Sequence, residues 1–120
     1  MNFKIIFAFF CSVLFFSSCR HDADFSGAPE ISFKYEVQSI IIGNCTESGC
    51  HASGSDSPGS LVTFEEIQKR VSPGDPRNSQ LYERVVGKSG SIMPPSSRTP
   101  LTNDQIRSIY IWIEQGAKNN

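Results

Sequence analysis

Apolar side chains recur at helical spacing in three places along the chain, a capping box marks a fourth helix, and polar stretches rich in Ser, Gly and Pro separate these segments. In the first place the apolar positions follow i, i+4, i+7 and i+8 spacing: Phe33, Val37, Ile40 and Ile41. This pattern predicts a helix that Ser32 caps and that the Gly43-Asn44 pair ends in a left-handed turn. The helix then delivers the chain directly to Cys45.

Two shorter helices are predicted in the middle of the chain. Residues 63–66, Thr-Phe-Glu-Glu, have the spacing of a capping box and open a helix that ends near Arg70. Residues 73–76, Pro-Gly-Asp-Pro, predict a turn. After this turn Asn78 or Ser79 caps a third helix, whose apolar positions share one face: Leu81, Tyr82, Val85 and Val86.

The last predicted helix has the clearest pattern. Residues 102–105, Thr-Asn-Asp-Gln, form a second capping box, and the Gln115-Gly116 pair predicts the end of the helix. One face between them is apolar: Ile106, Ile109, Tyr110, Trp112 and Ile113. No useful run has the alternation of a strand, so the sequence predicts an all-α domain of about four helices joined by long loops. Loops this long in a small domain typically serve a ligand.

The first residues of the chain have a different pattern. Residues 5–16 contain eleven apolar residues in twelve, with Lys4 before them and Ser17-Ser18-Cys19 after them. These three zones predict a secretory signal peptide over residues 1–18. The apolar run is too short to span a bilayer comfortably. Its end resembles a bacterial lipobox, which implies a lipid on Cys19 that anchors an exported protein to a bacterial membrane, on the periplasmic or cell-surface side. A plain signal peptide and an uncleaved anchor are the alternatives.

Residues 19–31 are polar, contain Gly and Pro, and lack an apolar period. We interpret them as the lipidated cysteine followed by a short flexible tether, with one folded domain at residues 32–120. His21 lies in this tether, where a solvated side chain is the simpler interpretation and a ligand role is the alternative.

Composition narrows the possibilities to one small exported domain. The 120 residues include 11 Lys and Arg against 12 Asp and Glu, and this balance excludes a basic nucleic-acid-binding protein. Length and pattern also exclude a multidomain protein, a coiled coil and a polytopic membrane protein. Large apolar side chains are few after residue 18, so the core needs a supplement such as a disulfide, a metal or a large apolar cofactor.

The residues with the most distinctive chemistry are concentrated in residues 45–51, Cys-Thr-Glu-Ser-Gly-Cys-His. Two cysteines followed by a histidine suit covalent haem attachment, in which the thiols add to the vinyl groups and the adjacent imidazole binds iron. The spacer between the cysteines has four residues instead of two. Gly49 gives this longer loop the freedom to fold back.

With several later segments, this run resembles the class I c-type cytochromes, in particular bacterial cytochrome c-like domains with a long spacer in the haem motif. The similar segments lie between residues 33 and 118: 45–51, 73–82, 92–95, 100–106 and 112–117. The resemblance implies a small cytochrome c-like fold around one covalent haem c, with the first and last helices crossing. It also implies that Cys45 and Cys50 form the thioethers, that His51 is the proximal iron ligand and that Met93 is the distal one.

Two further positions have their own arguments. Met93 is the only methionine after residue 18, and Pro94 favours an extended backbone that presents its thioether, a ligand that suits haem iron. The alternative is a flexible side chain that fills a gap in the core. Residues 58–61, Pro-Gly-Ser-Leu, resemble the segment in which a backbone carbonyl accepts the proximal imidazole N–H and a leucine packs on the haem. This assigns Pro58 and Leu61 to the cofactor site.

Other interpretations stay open at this point. Cys45 and Cys50 would suit a disulfide in a haem-free exported binding module. A zinc ion would use the two cysteines and His51, and a copper ion would add Met93. A haem with both axial positions filled implies an electron carrier for redox partner proteins, whereas an easily displaced Met93 would suit a peroxidase-like enzyme.

Overall fold

The computed structural model describes residues 25, 27–54 and 59–120, and over these residues the protein is all-α, with no strand. The first helix, α1, starts as a π-helical turn and continues as an α-helix: Phe33–Val37 and Gln38–Cys45. Three more helices follow, with one 3₁₀ turn, Pro76–Asn78, after the second: α2 (Phe64–Gln68), α3 (Gln80–Val85) and α4 (Asn103–Glu114). The predicted all-α architecture of about four helices is therefore confirmed. The predicted signal peptide, Cys19 and His21 lie outside the described residues.

Helix α1 begins where the sequence predicts and ends later. The hydroxyl oxygen of Ser32 accepts a backbone N–H of the first turn at 3.3 Å. The predicted end at Gly43-Asn44 is wrong, because both residues are helical and α1 continues to Cys45. The Asn44 side-chain amide donates to the Ile40 carbonyl at 2.7 Å, so it bonds back along the helix instead of forming a left-handed end.

Both predicted capping boxes are confirmed. Before α2, the Thr63 hydroxyl accepts the Glu66 N–H at 3.3 Å and the Glu66 carboxylate accepts the Thr63 N–H at 2.8 Å. Before α4, Thr102 and Gln105 make the same reciprocal pair at 3.2 and 2.9 Å. Each pair satisfies two N–H groups that the helix itself leaves without acceptors. The predicted end of α4 is confirmed as well, with Gly116 at a φ of +100°.

The region before α3 is more ordered than a simple turn. Ser79 occupies the predicted N-cap position, but its buried hydroxyl donates to the Asp75 carbonyl at 2.8 Å and accepts the Ser72 N–H at 2.8 Å. These bonds hold the preceding loop against α3 rather than capping the helix. Helix α3 ends at Val85, and Val86, predicted to lie on its apolar face, is 40% exposed.

The core lies between the first turn of α1 and the face of α4. The Phe33 ring centroid lies 5.4 Å from that of Trp112 and 4.9 Å from that of Phe64, the second contact being edge-to-face. Besides these aromatic residues, the core contains aliphatic side chains from all four helices and their loops: Val37, Ile41, Leu61, Ile67, Leu81, Val85, Leu101, Ile109, Ile113 and Ala117. None of the helices in the described part of the chain is long and apolar enough to cross a membrane.

Asn120 links the far end of the chain to the beginning of α1. Its backbone carbonyl accepts the Lys34 N–H at 3.0 Å, and its side-chain oxygen accepts the Phe33 N–H at 2.8 Å. Two first-turn N–H groups of α1, which have no acceptor within the helix, are therefore satisfied by the last residue.

The end of the predicted tether is bound to the domain. The Gln115 side chain accepts the Ile31 N–H at 2.9 Å and donates to the Pro29 carbonyl at 3.0 Å. The Phe25 ring packs edge-on against Tyr110 at 5.4 Å. The folded unit therefore includes residues before position 32, and these bonds tie residues 29–31 to the end of α4.

Candidate functional site

A cavity of about 530 Å³ opens between the end of α1, helix α3 and the loop that carries Met93. Its lining includes five of the six residues that the sequence assigns to a cofactor: Cys45, Cys50, His51, Leu61 and Met93. The sixth, Pro58, lies outside the described residues. Residues separated by up to 48 positions in the chain therefore meet around one space, whose volume falls in the range of roughly 300–1,000 Å³ typical of ligand sites.

The two cysteines lie at the ends of a folded turn. Cys45 is the last residue of α1, and its carbonyl accepts the His51 N–H at 2.9 Å. The Cys50 N–H donates to the Glu47 carbonyl at 2.9 Å, which folds the four-residue spacer back on itself. Both cysteines are half-buried free thiols.

The imidazole of His51 is held by one backbone acceptor. Its Nδ1 lies 2.6 Å from the Gly59 carbonyl oxygen. Because a carbonyl only accepts, Nδ1 must carry the proton, and Nε2 of the neutral ring keeps its lone pair for a ligand bond. The sequence placed such a carbonyl within residues 58–61, and the structure identifies Gly59 as the acceptor. The His51 backbone carbonyl also accepts the Leu61 N–H at 3.0 Å, which holds the Leu61 backbone next to that of His51.

Met93 is positioned by helix α3. Its N–H donates to the Arg84 carbonyl at 2.9 Å, and the Arg84 guanidinium donates to the Ser91 carbonyl at 3.4 Å. Arg84 lies so close to Gly90 that a Cβ there would come within 2.2 Å of its Nη1. Gly90 therefore lets the arginine lie against the loop that presents Met93.

Burial changes the acidity of one thiol. Desolvation, with a smaller contribution from the nearby Cys50, raises the pKa of Cys45 from 9.0 to about 11. In the folded protein without a cofactor, Cys45 is therefore a protonated thiol at neutral pH. Because the thiolate is the nucleophilic form, the folded protein disfavours reaction at this sulfur.

Several polar residues of the cavity were not predicted from the sequence. Arg70 and Gln80 both line it, and the Arg70 guanidinium donates to the Gln80 side-chain oxygen at 2.8 Å. Glu47, in the spacer, and Arg98, beyond Met93, also line it and form an ion pair with each other. The sequence offers no indication of this pair, because the two side chains belong to segments 51 positions apart.

Among residues 25, 27–54 and 59–120, no three His, Cys, Asp or Glu side chains converge closely enough to hold a metal ion. The cavity instead combines two thiols, an imidazole with an oriented free nitrogen, a thioether and apolar walls that include Leu61, Leu81 and Val85. These groups fit a large apolar cofactor that the thiols hold covalently and whose iron takes nitrogen and sulfur ligands. Comparisons of the chain with protein families, with curated proteins and with solved structures found no match.

Proposed function

We propose that this protein is a monohaem c-type cytochrome of the class I type, with a cytochrome c-like fold, and that it carries electrons. The observation that carries the proposal is the convergence of Cys45, Cys50, His51 and Met93 on one cavity of about 530 Å³. The hydrogen bond that orients His51 supports it independently, because it leaves the ring nitrogen farther from the backbone available to iron.

Each residue has a distinct role in this proposal. Cys45 and Cys50 form the thioethers, for which both must be free thiols beforehand, and they are. His51 provides the proximal nitrogen and Met93 the distal sulfur. Leu61 forms part of the apolar wall, and the Pro58 position precedes the carbonyl that holds His51. When bound, haem supplies one-electron exchange.

Electron carriage is favoured over peroxidase chemistry by the position of Met93. Its N–H is hydrogen-bonded to α3 and its side chain lines the same cavity as His51. A sulfur held at this place occupies the position that oxygen or peroxide would need. Outer-sphere exchange with a redox partner protein is the chemistry that two protein ligands leave.

We further propose that the protein is exported and is anchored through a lipid on Cys19 to a bacterial membrane. The support is the apolar run over residues 5–16 and the Ser17-Ser18-Cys19 sequence after it. Mass spectrometry of the membrane-extracted protein tests this, with acylated Cys19 as the expected first residue and loss of the lipid in Cys19→Ser.

The cofactor is tested by expressing the full chain in a bacterial host that matures c-type cytochromes. The purified protein is expected to retain haem through denaturing electrophoresis and to give the pyridine haemochrome spectrum of a haem with two thioethers.

Cys45→Ala/Cys50→Ala is expected to lose covalent haem and most of its stability, because ligand binding and folding are linked. His51→Ala is expected to lose the proximal ligand, whereas His21→Ala, the only other imidazole, is the matched control and should keep the wild-type spectrum. Wild-type protein without haem and with a Cys45–Cys50 disulfide would contradict the proposal.

A further inference from the structure

The loop that carries Met93 has little apolar anchorage. Residues 95–100 are exposed, and Ile92 is 47% exposed, while Met93 and Pro94 are half-buried. Two hydrogen bonds hold the loop. The Met93 N–H donates to the Arg84 carbonyl, and the Arg84 guanidinium donates to the Ser91 carbonyl. Both of these bonds come from α3 and lie on one side of Met93. A loop held on one side by hydrogen bonds needs a second attachment to keep a fixed position.

The second attachment comes from the cysteine spacer. Glu47 pairs with Arg98, five residues after Met93, through its carboxylate and the guanidinium Nη1. Both side chains line the cavity, so the ion pair connects the cysteine spacer to the loop that carries Met93. The spacer backbone is itself folded, since the Glu47 carbonyl accepts the Cys50 N–H at 2.9 Å. The carboxylate is therefore presented from a fixed turn.

We infer that Glu47 and Arg98 are positioning residues for Met93, and that the long spacer between the cysteines serves to provide this carboxylate. This inference rests on the proposed function and deepens it. The pair, which we call the spacer–loop latch, holds the Met93 loop over the cavity and thereby keeps the thioether at the distal position. In this inference the pair acts through the position of the loop.

The latch is weak and sensitive to salt. Its two side chains are 48% and 56% exposed, and ion pairs this exposed contribute little in water. Salt screens them further. Removal of either charge is therefore expected to make opening of the loop about two- to fivefold more frequent. This factor corresponds to the upper part of the free-energy range for an exposed ion pair.

The test uses the full chain and four variants: Glu47→Gln, Arg98→Gln, the charge swap Glu47→Arg/Arg98→Glu, and Glu30→Gln as the matched control. Glu30 forms an exposed pair with Lys118 away from the cavity, with side chains 57% and 59% exposed. The first readout is hydrogen exchange of the Met93 and Arg98 backbone amides, and it does not require haem. Both amides are protected by hydrogen bonds, Met93 to the Arg84 carbonyl and Arg98 to the Pro95 carbonyl. The second is the affinity of imidazole for the ferric protein, which reports displacement of the distal ligand.

Each neutralising variant is expected to raise amide exchange and imidazole affinity two- to fivefold and to lose the salt dependence of the wild type. The charge swap should restore both readouts, and Glu30→Gln should move neither. Unchanged exchange in Glu47→Gln, or a swap that behaves like the single variants, would overturn the latch. Faster exchange with unchanged imidazole affinity in a haem-containing protein would overturn its role in positioning Met93. A protein without haem would instead refute the proposed function, and amide exchange would still decide whether the latch exists.

Discussion

At the scale of single residues, the site depends on backbone acceptors that orient side chains. The Gly59 carbonyl fixes the proton of His51 on Nδ1, and the Arg84 carbonyl fixes the backbone at Met93. Neither acceptor depends on its own side chain, so the sequence narrowed the first only to residues 58–61, through a resemblance, and indicated nothing about the second. The proposed ligands are recognisable in the sequence, whereas the backbone atoms that aim them become visible only in the fold.

Substitution of Met93, the proposed distal ligand, gives the sharpest functional prediction at this scale. Met93→Ala is expected to lower the reduction potential, to abolish the weak near-infrared charge-transfer band between methionine sulfur and ferric iron, and to let azide or cyanide bind. The reason is that a thioether favours ferrous iron and its removal leaves an exchangeable position. Ile92→Ala, at the exposed neighbouring position, is the control and should leave the band unchanged. A wild-type spectrum in Met93→Ala would assign the distal position to another residue.

At the scale of the helices, the two capping boxes differ by one chemical group. The box before α2 ends in Glu66, and the box before α4 ends in the neutral Gln105. The hydrogen bond from the Thr63 backbone, the largest contribution, lowers the pKa of Glu66 below its usual 4.5, with a further bond from the Val62 backbone acting in the same direction. Only the first box therefore responds to acid.

The pH dependence follows from the direction of that shift. Because the folded pKa of Glu66 is depressed, its contribution to stability is complete above pH 4.5 and is lost as pH falls through the lowered value. Glu66→Gln is expected to melt near the wild-type temperature at pH 7 and to lose less stability than the wild type below pH 4.5. Thermal melts of both proteins between pH 3 and pH 7 measure the difference, with Gln105→Glu as the reciprocal control. Parallel pH profiles in wild type and Glu66→Gln would contradict the assignment.

The helices show why local patterns predicted one part of the fold and not another. Threonine followed three residues later by Glu or Gln specifies a helix start by itself, so α2 and α4 begin as predicted. Gly43-Asn44 resembles a helix end, yet Asn44 bonds back to Ile40 while Val37 and Ile41 of the same helix are fully buried in the core. Burial of the helix outweighs a local preference of the order of 1 kcal/mol, and no local pattern records that competition.

At the scale of the whole molecule, the segment before α1 and the end of α4 form one unit. Gln115 bonds residues 29–31, and Glu30 pairs with Lys118 at 2.8 Å. The Arg107 guanidinium lies 5.4 Å from the centroid of the Phe25 ring. If Cys19 carries the proposed lipid, only five residues separate it in the sequence from Phe25, which already packs on the domain.

Loss of this attachment is predicted to be measurable. Gln115→Ala is expected to reduce the free energy of unfolding by about 1–2 kcal/mol, because it removes bonds to three backbone groups of the segment. It should also speed protease cleavage within residues 19–31. Lys118→Ala is the control and should change stability by less than about 0.5 kcal/mol, since it removes only an exposed pair. Urea unfolding and limited proteolysis measure both effects, and equal behaviour of the two variants would contradict the role of Gln115.

The bonds between Asn120 and the start of α1 impose an order in time. A ribosome makes residues 33 and 34 long before it makes Asn120, so two N–H groups of the first turn meet these acceptors only after residue 120 has been synthesised. During that interval α1 lacks this closure, and until the chain folds Cys45 also lacks the burial that makes it a poor nucleophile. For the proposed attachment of haem, a newly made chain is therefore a more reactive substrate than the folded protein.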